Sequence, residues 1–319
     1  MTKIHLDTDI GGDMDDLCAL ALLLKLPDVE ITGITTVAEE RGRRAGFVRY
    51  VLNLVGRTDI PYAAGADVAD GYYRYPTLGY PPDEVNYPEP VPPVPGPLDA
   101  ALDLLKASLD HGAIIVGIGP FTNLRLLDEK YPGSLRNAQI YLMGGYIYDV
   151  PPGYPDYARE DDWNLQVDVA SAVYVLEHAD PTLIPITVTA QTALRHADVP
   201  RLRAAGPLGA LLARQADAFA KAWHNDQKYA AYANVPRDLI NFHHDPLACA
   251  IALGWDQGVQ IERVPIRWEV RDSYIYETPD PPGKSVRLVT HVDGAAFNRY
   301  WCDVICGDTL GRIAGNSHS

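Results

Sequence analysis

Short runs of Ile, Val and Leu recur along this chain, and nearly every one gives way to a segment with helical spacing. "KIHLDTD" leads into a helix expected over 15–26, and "VEITGITTV" into one over 41–56 that ends at Gly56. "AIIVGIG" precedes a helix over 120–130, "AQIYLMGG" one over 166–179, and "TLIPITV" is a further strand. These strand-like runs are continuously apolar rather than alternating, so both of their faces are buried. Such strands separated by helices build an α/β fold: a mostly parallel open sheet with helices on both faces. No repeat or compositional shift divides residues 1–319, and a single domain is expected.

In parallel sheets the loops that follow the strands converge on the ligand site, and the polar clusters fall in those loops. The densest lies in "KIHLDTDIGGDMDDLCALALLL", where Asp7, Asp9, Asp13, Asp15 and Asp16 crowd between a strand and an apolar helix. Helix capping accounts for one or two of them, at about 0.3–1 kcal/mol each. It leaves Asp7 and Asp9 unexplained. Carboxylates gathered without a counter-charge resist ionisation, and no Lys or Arg follows Lys3 within the segment. A hard divalent cation with oxygen ligands, Ca²⁺ or Mg²⁺, relieves the repulsion. "NFHHDPLACAIAL" offers a second acidic turn, with Asp245 ahead of Pro246 at a helix start.

Composition narrows the partners. A net charge of −15 leaves no basic footprint for nucleic acid. No apolar run approaches the ~18 residues of a membrane span, and "MTKIHLDTD" carries no secretion signal. Cys18, Cys249, Cys302 and Cys306 form no CxxC pair and lie in apolar segments, which reads as reduced thiols of a cytoplasmic protein rather than as zinc ligands. Two stretches rich in Tyr and Pro, 67–97 and 145–163, interrupt the rhythm. The first is expected to be an ordered surface loop or a subunit contact.

Taken in order, the aspartate-rich turn, "ITTV", "GPFTNL", "LMGG", "DWN" and "HDPLA" resemble the nucleoside hydrolase family, the inosine–uridine-preferring N-ribohydrolases. The likeness runs from residue 3 to "VDGAAFNRYW" at 292–301. It implies a Rossmann-like open sheet, a nucleoside substrate, purine or pyrimidine salvage, a homodimer or homotetramer, and a Ca²⁺ ion that grips the ribose hydroxyls and a water. By matching motif, Asp9 is expected to be metal ligand and general base. Asp16, Asp245 and the backbone carbonyl of Ile118 complete the ligand set, and Asp7 supports it from behind. Asp15 is expected to bond ribose hydroxyls, and His244 to assist the leaving base. Asn164 matches the sugar-binding asparagine, Asp162 stands where the family has a glutamate, and Asp156 falls where an asparagine contacts the 5′-hydroxyl. Glu40, beside Glu39, takes the place of the family's asparagine after "ITTV". The turn "DIGGDMDD" is two residues longer than usual, which makes Asp13 an additional carboxylate near the ion.

This set suits N-glycoside hydrolysis, where the ribosyl ring gains positive charge and the departing base gains negative charge. A carboxylate floor stabilises the first charge. Calcium acidifies water weakly, so a carboxylate base must complete the deprotonation. For the leaving base the candidates are His244, His243, Trp223, His224, Tyr229 and Tyr232, the last four on a helix-like "KAWHNDQKYAAYAN"; aromatics at that spacing also pack cores. Met143, in "MGG", lets backbone approach the substrate. Two other readings compete. "LDTD" also fits a haloacid-dehalogenase-like Mg²⁺ phosphohydrolase with Asp7 as nucleophile, and the altered sugar shell fits a Ca²⁺-dependent ribosyl-binding protein without turnover.

Overall fold

The computed structural model describes residues 1–67 and 81–308. Six strands, β1 (Thr2–Thr8), β2 (Val29–Thr36), β3 (Tyr62–Ala64), β4 (Ile114–Gly117), β5 (Ile140–Met143) and β6 (Thr182–Ile184), run parallel in the spatial order β3-β2-β1-β4-β5-β6. A short antiparallel pair, β7 (Leu194–Arg195) and β8 (Leu239–Asn241), stands apart. The main sheet is completed by β9 (Gln260–Arg271), β10 (Tyr274–Pro279) and β11 (Lys284–His291). Strand β11 lies parallel to β6 and antiparallel to β9, and β10 forms the edge.

Neighbouring strand residues enter different cores. Val116 and Ile184 belong to a cluster that includes the Asp15–Lys25, Gly206–Trp223 and His244–Ala252 helices. Ile115 and Leu183 belong to a second cluster with the Leu98–Asp110, Thr122–Lys130 and Val169–His178 helices. The continuous apolar runs are therefore buried on both faces, as their composition requires. Strand order reverses direction at the β1/β4 junction, the switch point at which loops of a doubly wound sheet part and leave a crevice. Asp9 follows β1 and Ile118 follows β4, so both flank that crevice.

The expected helices stand at Asp15–Lys25, Arg43–Leu54 and Thr122–Lys130, each within two residues of its expected start and end. The span 166–179 is instead two helices, Trp163–Gln166 and Val169–His178, because Asp162 and Asp168 each accept a bond from a backbone N–H of the following turn. "TLIPITV" is a strand only to Ile184; Pro185 ends it and the Ile186–Thr189 helix begins. "KAWHNDQKYAAYAN" is not one helix either. It breaks at His224, whose backbone is left-handed at φ 49°, and resumes for Asn225–Lys228 alone.

Much of the 67–97 stretch lies outside the described residues. Of the rest, Asp83–Asn86 makes one helical turn, and Tyr87 is buried with its ring stacked 4.6 Å from that of Phe47. Pro92–Pro95 run so close to Gly42 and Gly46 that a Cβ at either glycine would strike their backbone. All four cysteines are free thiols. Among the described residues no helix is long and apolar enough to cross a membrane.

Candidate active site

A cavity of about 610 Å³ opens at the C-terminal ends of the parallel strands. Two helix N-termini meet at its floor. Asp15 and Asp16 occupy the first turn of one helix and Asp245 the first turn of the other, and the two helices pack together. Their positive dipole ends thus face a common point. Carboxylate oxygens of Asp15, Asp16 and Asp245 lie within 4.8 Å of one another, close enough to share one ion, and all three side chains are buried. Desolvation, followed by mutual repulsion, pushes all three carboxyls well above the usual carboxylate range. A hard cation matches this donor set of carboxylate oxygens at the positive ends of two helices.

Asp9 stands beside this trio. Its Oδ2 accepts the indole N–H of Trp163 at 2.9 Å, and its carboxyl is raised first by burial, against a lowering pull from Arg44. Arg44 is itself buried and holds the turn in place: it donates to the carbonyls of Asp9, Ile10 (3.1 Å) and Ala38 (2.6 Å). Thr8 donates to Asp16 at 2.5 Å. Asp7 lies behind the floor, fully buried, accepting from Thr35 at 2.6 Å and Asn123 at 2.7 Å, and burial raises it to about 7. Asp13 is occupied as a local brace. Its Oδ1 accepts from the backbone of Met14 and Asp15 and from Asn241 Nδ2, and burial lifts it to about 6.

The sugar-side candidates cluster as well. Asn164 Nδ2 donates to the carbonyls of Ile118 and Met143, both at 3.1 Å, tying the ends of β4 and β5 together beneath the cavity. Asp162 accepts from Gly145 N and, at 3.4 Å, from Leu165 N, and burial raises it to about 6. Asp156 is exposed at the rim, where Tyr232 donates to it at 3.3 Å. All of these line the cavity together with Asp9, Asp15, Asp16, Ile118, His244 and Asp245. Glu40 does not. Its backbone is left-handed at φ 56°, which turns the side chain outward to pair with Arg43 at 3.1 Å and Arg44 at 3.4 Å.

His244 Nδ1 sits 2.6 Å from the Thr189 hydroxyl, and burial lowers its imidazole to about 4, so the ring is uncharged at neutral pH. Of the other leaving-base candidates, Trp223, Tyr229 and Tyr232 line the cavity. His243 is packed away against Trp301, with ring centroids 4.3 Å apart, and His224 is exposed. Sequence reasoning passed over Arg44, Tyr157, Phe219, Lys228 and Phe242, which also line the cavity. Trp163 was quoted in "DWN" without a role. A neighbour two residues from "HHDP" was the available signal for Asn241; nothing in "RGRRAG" singles out Arg44.

This is the geometry of a ligand-binding α/β enzyme site: a cation-ready acidic floor at the sheet's switch point, walled by aromatics. Residues 4–299 match the family described as inosine-uridine preferring nucleoside hydrolase. The pyrimidine-specific ribonucleoside hydrolase RihA of Salmonella schwarzengrund is 30% identical over 266 residues, 78% of either chain. The fold is shared with the plant nucleoside hydrolase PpNRh1 (TM-score 0.77, 19% identity, 96% of this chain and 99% of that one). It is shared too with the purine-preferring ribonucleoside hydrolase from Gardnerella vaginalis (TM-score 0.75, 24% identity, 98% and 100%). The chain belongs to the inosine-uridine preferring nucleoside hydrolase family. It is accordingly an N-ribohydrolase, an enzyme that cleaves the N-glycosidic bond of ribonucleosides.

Proposed function

We propose that the enzyme hydrolyses ribonucleosides to free base and ribose with Ca²⁺ as its cofactor and Asp9 as general base. The observation that carries this reading is the buried trio Asp15, Asp16 and Asp245 with Asp9 beside it. Four acidic groups in a desolvated floor face the single Arg44 guanidinium, which is also bonded to backbone carbonyls and paired with Glu40, and need an added positive charge. Asp9, Asp16, Asp245 and the Ile118 carbonyl would hold the ion. When bound, calcium supplies charge neutralisation and a fixed seat for a sugar diol and a water.

Asp9 takes the proton of the attacking water as the water oxygen bonds to C1′. The C1′–N bond breaks, and its electron pair leaves with the base, which takes a proton from solvent water. Trp163 holds Asp9 Oδ2 by its indole N–H and so fixes the direction from which the proton is taken. Asp15 and Asn164 orient the ribose hydroxyls, and Asp156 and Asp162 flank its 5′ side. His244, uncharged and held by Thr189, hydrogen-bonds the departing base. Residues 1–319 act as one catalytic unit in the cytoplasm, assembled as a homodimer or homotetramer.

A phosphohydrolase using Asp7 as nucleophile has no geometry to support it, since Asp7 is sealed from the cavity and committed to Thr35 and Asn123. The decisive assay is ribose release from a panel of purine and pyrimidine nucleosides, with and without chelator. Turnover lost in chelator and restored by calcium is the expected result. Undiminished turnover in chelator removes the cofactor assignment, and nucleoside binding without release of base favours a ribosyl-binding protein.

A further inference from the structure

The edge strand β10 supports more than the sheet. Its backbone is bonded by side chains of the segment that carries the sugar-side residues. Gln166 closes both backbone groups of Ile275, donating to the carbonyl at 2.8 Å and accepting from the N–H at 3.0 Å. Arg159 donates to the Glu277 carbonyl at 2.6 Å and to the Tyr146 carbonyl, and the Tyr276 hydroxyl donates to Glu160 at 2.7 Å. An edge that would otherwise stand unpaired is covered in this way. In return it anchors residues 159–166, of which Glu160, Asp161, Asp162, Trp163 and Asn164 line the cavity.

Glu277 breaks the pattern of this strand. Alternate residues of a strand share a face, and Ile275 on the inward face belongs to the apolar core. Two positions on, where a second apolar residue would suit, stands the carboxyl of Glu277, only 1% exposed. Its Oε1 has no hydrogen-bond partner among the described residues. A buried orphan oxygen at a position that packing alone would make apolar calls for a reason beyond packing. Three groups face it: the backbone N–H of Tyr146 from the loop after β5, the Arg159 guanidinium, and the carboxyl of Asp162 at the start of the Trp163–Gln166 helix. β9 sets Trp268 opposite Glu277, and the Val169–His178 helix adds Val169 and Val173 to the same apolar cluster. Asp162 accepts from Gly145 N, so the two carboxyls address successive amides of one turn, directly after Met143 in the cavity wall.

We propose that Glu277 is a positioning residue for the hydrolysis: from behind the cavity wall it holds the Gly145–Tyr146 turn and Asp162 in the arrangement that receives the sugar. This inference rests on the N-ribohydrolase reading and goes beyond it in tying the sugar side of the site to the edge of the sheet. Neighbouring buried carboxyls resist carrying charge together. Burial, followed by the Asp162 carboxyl, raises Glu277 to about 8, whereas Asp162 is raised to about 6. At neutral pH the proton therefore rests on Glu277 and the charge on Asp162. Once Glu277 ionises as well, the two repel across the turn they share, and the sugar side loosens while the acidic floor is untouched.

The test compares wild type with Glu277→Gln, which keeps the shape and stays neutral, and with Glu277→Ala. Calcium-loaded protein is assayed on nitrophenyl riboside, a substrate without a titrating group in the range used. At neutral pH Glu277→Ala is expected to raise KM by about tenfold with kcat within about threefold, and Glu277→Gln to stay near wild type. Wild-type KM is expected to rise as pH passes about 8, and that of Glu277→Gln to show no such rise. Hydrogen exchange of residues 143–147 and 159–166 needs no turnover, and it should be faster in Glu277→Ala than in wild type. An unchanged KM in Glu277→Ala, or parallel KM profiles for wild type and Glu277→Gln, overturns the assignment. Should Glu277→Ala fail to fold, the comparison of those two profiles decides alone. A wild type that leaves nitrophenyl riboside intact counts against the N-ribohydrolase reading, and exchange then decides Glu277. Faster exchange confined to the two segments supports its positioning role, and an unchanged or chain-wide rate refutes it.

Discussion

The floor and the wall of the cavity are built from different kinds of chain. The floor uses strand ends and the first turns of two packed helices, so backbone pairing and helix packing fix the positions of Asp9, Asp15, Asp16 and Asp245 before any ligand arrives. The wall is assembled from segments far apart in sequence: Tyr157 in an irregular loop, Trp223 at a helix end, Tyr229 after a single turn, and Phe242 just past β8. Reaction chemistry tolerates little displacement, which suits the rigid floor. Base recognition can vary, which suits the wall. The contrast also separates stability from function, because the floor gathers groups that oppose folding. Its carboxyls are raised by burial, an energetic cost that a cation offsets.

That contrast breaks most visibly at Asp9. Asp9→Ala is expected to lower kcat by about a thousandfold or more on every nucleoside, with a melting temperature equal to or above that of the calcium-free parent, since a desolvated carboxylate has been removed. Retained turnover removes Asp9 as the base. A lower melting temperature makes the floor a stabilising element after all.

At the junction of floor and wall, His244→Ala is expected to cost about 10- to 100-fold on inosine or uridine. The loss should be much smaller on nitrophenyl riboside, whose leaving group departs unaided. Equal losses on both substrates assign His244 to the floor and not to base departure.

The smallest effect concerns the support beneath both regions. His5 is buried in β1 between Ser108 at 2.8 Å and Thr35 at 3.0 Å, and Thr35 in turn bonds Asp7. Burial lowers His5 to about 3, from 6.5 in the unfolded chain. Its neutral form therefore supports the fold fully above about pH 6.5, and that support is lost as pH falls toward 3. Relative to His5→Gln, wild type should lose about 2 kcal/mol of unfolding free energy between about pH 7 and pH 5, measured by urea titration. Parallel pH profiles for the two proteins would contradict a neutral buried His5.

The same contrast explains how much of the molecule was legible in the sequence. Both buried faces of the sheet could be read from the unbroken apolar runs, and the floor from the aspartates that repel one another on either side of a strand end. Asp245 was recoverable because its helix start carries its own signature. Glu40 was placed in the sugar shell by its position after "ITTV", and a left-handed backbone at that residue, invisible to spacing arguments, turns it outward. Asp13, read as an additional carboxylate near the ion, lines the cavity and also accepts from the backbone of Met14 and Asp15, a brace that spacing does not announce. Tyr229 was legible as an aromatic candidate, but Arg44, Phe242 and Lys228 reach the cavity through long-range packing, and local pattern carries no signal for that.

The most direct test of the account is calorimetric titration of the metal-stripped enzyme with Ca²⁺, run in parallel on wild type and Asp245→Asn. Wild type should bind one ion per chain and recover nucleoside hydrolysis as that site fills. Asp245→Asn, folded by circular dichroism, should lose both the binding heat and the recovery. No calcium binding by wild type, with full hydrolysis in chelator, would contradict a cation-held floor.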